Sequence, residues 1–142
     1  MTRFVLDASL ALAWCFADEA TSYTESLLDR MKSGDRAIVP PHWPVEILNV
    51  LIHAKRKKRI TDEKIEDFLQ RLTSFDISVD AVRSFPLLKA TRQLADAHRL
   101  TSYDAVYLEL ALRFGLPLAS LDGDLRKAAQ AEGVQMVEQS VQ

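Results

Sequence analysis

Arg3-Phe4-Val5-Leu6-Asp7-Ala8-Ser9 decides how the rest of the chain is read. Phe4 to Leu6 is a short apolar run, which reads as a buried strand delivering one acidic side chain at its C-terminal end. A helical pattern over residues 9–16 starts at once, with Leu10, Ala13, Trp14 and Ala17 at helical spacing. In an open parallel α/β sheet, ligands sit in the crevice beyond the carboxyl ends of the strands. A carboxylate placed there serves either chemistry or the capping of the helix behind it.

Working outward, apolar runs at residues 37–39, 75–79, 116–121 and 134–137 read as further strands. Between them the spacing predicts helices over residues 22–32, 41–57, 62–74, 85–99, 101–114 and 123–132. Thr61 is the expected N-cap of one of these, and Gly34, Gly115 and Gly133 are the expected stops. Strands separated by helices predict right-handed crossovers and a mostly parallel sheet of four to five strands, covered on both faces. The expected architecture is α/β, a three-layer α/β/α sandwich, with residues 1–142 forming one domain.

Composition excludes more than it identifies. No apolar run approaches the ~20 residues that span a bilayer. A single cysteine, Cys15, excludes an intramolecular disulfide and fits a reducing cytoplasm. The net charge of −2 does not announce a nucleic-acid binder. Five basic residues do cluster in Lys55-Arg56-Lys57-Lys58-Arg59, but at the far end of the helix that carries Glu46. A cationic helix terminus is the favoured reading of that run.

Four acids stand out against this layout. Asp7 and Asp122 each close a strand, Glu46 opens the helix after the second strand, and Asp104 opens its own helix. Each has a structural reading: Asp7 and Asp122 as N-caps, Asp104 in a capping box with Thr101, Glu46 as an acid favoured by the helix dipole. The functional reading is convergence of all four at one sheet edge. Crowded carboxylates repel unless a cation compensates, and hard divalent ions prefer oxygen ligands. Cys15 and the three histidines, His42, His53 and His98, are too scattered for a zinc site. The chemistry that follows is metal-assisted attack of water on a phosphodiester.

Val5-Leu6-Asp7-Ala8-Ser9, Pro44-Val45-Glu46-Ile47-Leu48-Asn49-Val50-Leu51, Leu100-Thr101-Ser102-Tyr103-Asp104-Ala105-Val106-Tyr107-Leu108 and Leu118-Ala119-Ser120-Leu121-Asp122 together resemble the four motifs of the PIN-domain ribonucleases. The nearest resemblance is to the VapC toxins of type II toxin–antitoxin systems. It spans essentially the whole chain, and Tyr-Asp-Ala-x-Tyr is its most specific piece. The resemblance implies a PIN-like fold and a metal-dependent endoribonuclease. Asp7, Glu46, Asp104 and Asp122 would hold one or two Mg²⁺ or Mn²⁺ ions, supported by Ser9, Asn49 and Ser120. Ser120 stands where the family commonly has threonine and keeps the hydroxyl. The resemblance also implies an RNA substrate, a cognate VapB-like antitoxin and a homodimer. Asp124 is expected to be a solvated first-turn acid instead of a further ligand.

Two other features bear on function. Trp43 and Tyr103, both near the acidic edge, are the aromatic residues marked for base stacking. The apolar segments around Trp14–Phe16 and residues 47–52 suggest a groove for a partner helix. A receiver-like phosphoacceptor fails because Asp7 lacks clustered acids and the late strand ends in Asp122 where a lysine is needed. A haloacid-dehalogenase-like phosphatase needs a second Asp where Ser9 stands. The alternative that survives is a non-catalytic PIN-like module binding RNA or protein.

Overall fold

The computed structural model describes residues 2–81 and 84–139. Its strands are β1 (Arg3–Leu6), β2 (Arg36–Val39), β3 (Asp76–Val79) and β4 (Leu118–Ala119). They form one all-parallel sheet in the order β3-β2-β1-β4. β1 lies between two neighbours, and Phe4, Val5 and Leu6 are fully buried. That strand shows no apolar–polar alternation because both faces of a parallel sheet are covered. β3 sits at an edge and exposes most of its side chains.

Seven α-helices surround the sheet among the described residues: α1 (Ala8–Leu12), α2 (Ser22–Lys32), α3 (Trp43–Arg56), α4 (Asp62–Ser74), α5 (Phe85–His98), α6 (Ser102–Phe114) and α7 (Gly123–Ala131). The chain steps from β1 to β2 to β3 in one direction, then returns to lay β4 on the other side of β1. With right-handed crossovers, that reversal puts α1 to α4 on one face and α5 to α7 on the other. The result is the expected three-layer α/β/α sandwich. The reversal also makes the gap beyond β1 and β4 the topological switch point, where this class of sheet binds its ligands.

Local signals set the helix ends. Thr21 forms a reciprocal capping box with Thr24, and the Thr61 and Thr101 hydroxyls accept the third amide of α4 and α6. Pro44 sits in the first turn of α3, where a missing N–H has no partner to lose. Gly115 closes α6 at φ 64°, a left-handed conformation that glycine adopts without a Cβ clash.

Three elements are shorter than their sequence pattern. α1 ends at Leu12 instead of residue 16, since the chain there turns Trp14 inward. The Trp14 indole N–H donates to the Thr24 carbonyl at 2.9 Å, and its ring meets Phe75 edge-on. β4 keeps only two residues of the expected 116–121. Pro117 lacks an N–H, and the amides of Leu121 and Asp122 donate to the hydroxyls of Ser9 and Ser120 instead of a strand. With β4 so short, residues 134–137 make a single parallel bridge, Leu118 to Met136, and not a fifth strand. No described helix is long and apolar enough to cross a membrane.

Candidate active site

β1 and β4 end level with each other: Leu6 pairs with Ala119, and the Asp7 amide donates to the Ala119 carbonyl at 2.9 Å. Asp7 and Asp122 therefore flank the switch point from adjacent strands. Asp7 is 4% exposed. It stands at the N-cap position of α1 but makes no side-chain cap bond. Its Oδ2 instead accepts from Ser9 Oγ at 2.8 Å and from Ser120 Oγ at 2.6 Å. Ser120 Oγ in turn accepts from the Asp122 amide at 3.0 Å, so one hydroxyl ties the two strand ends together.

The other three acids arrive on helix N-termini. Asp122 does cap α7, its Oδ1 accepting from the Asp124 amide at 3.3 Å. Asp104 lies one turn into α6, its amide held by the Thr101 hydroxyl at 3.2 Å. Its carboxyl lies close enough to Asp122 for the neighbouring charge to act on it. Glu46, in the first turn of α3, has its Oε1 held by the Tyr107 hydroxyl at 2.9 Å. The same hydroxyl accepts from the Ala8 amide at 3.3 Å, which links Glu46 to the residue following Asp7.

These acids feel one another. Burial pushes the Asp7 carboxyl up from the ordinary range, opposed by the Ser120 and Ser9 hydroxyls and reinforced by Asp122. Burial also pushes Glu46 up; the Tyr107 bond opposes the shift and the charges of Asp7 and Asp104 add to it. Asp104 rises to about 6 through burial, then the charges of Asp122 and Asp7. The Tyr107 phenol is pushed up too, by burial and by the charges of Asp7 and Glu46. All four acids thus share one electrostatic field with excess negative charge.

A divalent cation fits this donor set in kind: the ligands are hard oxygens and the field is negative. The spacing is open. Among the described residues, no group of three or more His, Cys, Asp or Glu side chains is gathered closely enough to hold an ion. Mg²⁺ commonly needs only one or two carboxylates, with water and phosphate oxygens completing its shell.

The remaining sequence candidates divide. Ser9 and Ser120 both hold Asp7. Asn49 is exposed on α3, and its side chain makes no hydrogen bond among the described residues. Asp124 is exposed, and its amide, not its carboxylate, joins the site. Trp43 is buried and unavailable for stacking, whereas the Tyr103 ring is open to solvent. In the basic run, Arg59 pairs with Asp18 and Glu19 and lies over the Phe16 ring, and Lys55 pairs with Asp62. Trp14, Phe16, Ile47 and Leu51 are buried, which removes half of the expected groove; Val45, Leu48 and Ile52 leave an exposed apolar stripe on α3.

The site roles of two further residues escape sequence reasoning. Tyr107 falls at core spacing in α6, and its ring is indeed buried; only its hydroxyl belongs to the site. His42 has its Nε2 3.8 Å from Glu46 Oε2 and its ring against Tyr103 and Tyr107. The i,i+4 spacing of His42 and Glu46 across the start of α3 was the available signal.

The fold and this acidic switch point define a class. The sequence matches the PIN domain over residues 4–131. The chain belongs to the PIN-domain family, whose members are typically metal-dependent nucleases. Among solved structures, PAE2754 from Pyrobaculum aerophilum is similar in fold, with a TM-score of 0.68 at 22% identity over 89% of this chain and 84% of that one. No curated protein sequence matches the chain.

Proposed function

We propose that this chain is a Mg²⁺- or Mn²⁺-dependent endoribonuclease that hydrolyses RNA phosphodiester bonds. The observation that carries the reading is the arrival of Asp7, Glu46, Asp104 and Asp122 at one switch point, where only the hydroxyls of Ser9, Ser120 and Tyr107 hold Asp7 and Glu46. A bound divalent ion supplies a Lewis acid that activates water and offsets charge developing on the phosphate. The chain's own part is to hold it. Asp7 is fixed by Ser9 and Ser120, Glu46 is fixed by Tyr107, and Asp104 and Asp122 face each other across the gap. Asn49, one turn along α3 from Glu46, stands at the rim as a support.

The resemblance of the four motifs to VapC toxins extends the reading to a toxin of a type II toxin–antitoxin system. In that reading residues 1–142 act as one nuclease domain, in the cytoplasm, as a homodimer restrained by a VapB-like antitoxin. The exposed Val45, Leu48 and Ile52 stripe supports a protein partner.

The test is cleavage of a mixed tRNA and rRNA pool by the purified chain, with Mg²⁺ or Mn²⁺ and with EDTA, beside Asp7→Asn. Metal-dependent cuts that vanish in the variant support the reading. The open spacing of the acids is the one observation favouring a non-catalytic binding module. RNA bound but left uncut under every metal condition would establish that alternative.

A further inference from the structure

Tyr103 and Asp104 are consecutive residues in the first turn of α6, and they face different tasks. Asp104 is drawn into the acidic gap, while Tyr103 is 63% exposed and does little for the core. Its ring nevertheless has a defined backing. The His42 ring lies 5.6 Å away, tilted by 56°, and the buried Tyr107 ring meets His42 at 5.3 Å and 71°. Tyr103, His42 and Tyr107 thus form an aromatic column from the surface to the hydroxyl that holds Glu46. The His42 Nε2 is 3.8 Å from that same carboxylate. The His42 ring therefore stands between the outer end of the column and the Glu46 carboxylate.

A strand of RNA approaching this edge meets a field of its own sign, so its phosphates gain little from the protein's charges here. A base has no charge, and stacking on an exposed aromatic ring is tolerant of sequence. An aromatic ring held at a fixed tilt by a packed neighbour is also pre-organised, which lowers the entropy lost on binding. We propose that Tyr103, backed by His42, is the stacking platform that seats a nucleobase of single-stranded RNA beside the carboxylates. This inference rests on the ribonuclease reading and adds a substrate-positioning residue to it. The exposed phenylalanine rings lack that placement: Phe85 begins α5, and Phe114 lies under Arg3 and Arg113.

The test uses the full chain carrying Asp7→Asn, so that bound RNA stays intact. The probe is a set of short single-stranded RNAs of mixed sequence, each with one 2-aminopurine, whose fluorescence falls when it stacks. The parent quenches the probe on binding. Tyr103→Ala weakens binding by about 5- to 150-fold, the range for removal of one stacked base, and abolishes quenching. Tyr103→Phe and Tyr103→Trp restore both. With Asp7 intact, Tyr103→Ala raises KM for cleavage far more than it lowers kcat. Because Tyr103 is exposed, its variants melt with the parent. Parent-like affinity and quenching in Tyr103→Ala overturn the inference while leaving the nuclease reading intact. A chain that binds no RNA as Asp7→Asn and cuts none with Asp7 intact overturns both.

Discussion

Asp80 and Glu109 are nearly as buried as Asp7, yet the chain answers them with a cation of its own. Arg113 donates from Nη2 to Asp80 at 2.6 Å and from Nε to Glu109 at 2.7 Å. These two bonds hold the guanidinium above its already high ordinary range, so it stays charged at any working pH. At the switch point the treatment is the opposite. Asp7 receives two hydroxyls, Glu46 a phenol, and no Lys or Arg among the described residues forms an ion pair with any of the four acids. Acids buried for the fold are matched internally. Those at the switch point meet no Lys or Arg of the described residues and carry excess negative charge.

This contrast is open to attack from both sides. The largest effect is expected from Asp7→Asn: cleavage falls to the level of buffer alone, while the melting temperature holds or rises because a desolvated charge has been removed. RNA cleavage beside thermal melting checks it, and a folded variant with full activity removes Asp7 from the mechanism. Arg113→Ala should do the reverse. Removing the Arg113 cation from Glu109 and Asp80 costs about 3 kcal/mol, toward the low end for breaking a buried pair because Arg113 is partly exposed. Urea unfolding measures that cost, and cleavage per folded molecule should be unchanged.

Smaller effects sharpen the picture. Tyr107→Phe keeps the buried ring and removes the hydroxyl between Glu46 and the Ala8 amide. Mn²⁺ affinity is expected to weaken by about 10-fold or more, as for loss of a group that orients a ligand. Equal affinity in the two proteins would reduce Tyr107 to packing. The smallest effect is in the metal-free protein. Asp104 in the folded chain titrates at about 6, above its ordinary 3.8, so the folded state binds the proton more tightly than the unfolded state. Stability from this group is therefore full below about pH 4 and is lost as pH rises toward 6. Melting temperature in EDTA should fall across that window for the wild type, with a shallower fall in Asp104→Asn. A wild-type curve that is flat from pH 4 to 6 would contradict the burial and charge repulsion that raise Asp104.

How much of this was legible depends on where the signal lies along the chain. Asp7 and Asp122 were legible because a carboxylate ending a buried strand has no apolar role to play. The helix carrying Asp104 follows another helix, so sequence order left its arrival at the sheet edge open; the packing of α6 against β1 decides it. Apart from its place in the Tyr-Asp-Ala-x-Tyr motif, Tyr107 was legible only as core, since a hydroxyl reaching Glu46 across 61 positions leaves no trace in local spacing. Trp43 and Tyr103 looked alike in the sequence. Their helical phases separate them, Trp43 turning inward on α3 while Tyr103 points away on α6. The short β4 was hidden for a similar reason: its backbone beyond Ala119 bonds to Ser9 and Ser120 side chains, which no propensity anticipates.

The central claim is that the switch-point acids await a cation while the Arg113 cluster does not. Isothermal titration of Mn²⁺ into the metal-free chain near neutral pH tests it most directly, with Asp7→Asn and Arg113→Ala titrated alongside. The account predicts saturable binding by the wild type, its loss in Asp7→Asn and its survival in folded Arg113→Ala. A wild type that binds no Mn²⁺, or an Asp7→Asn variant that binds it equally well, would contradict the account.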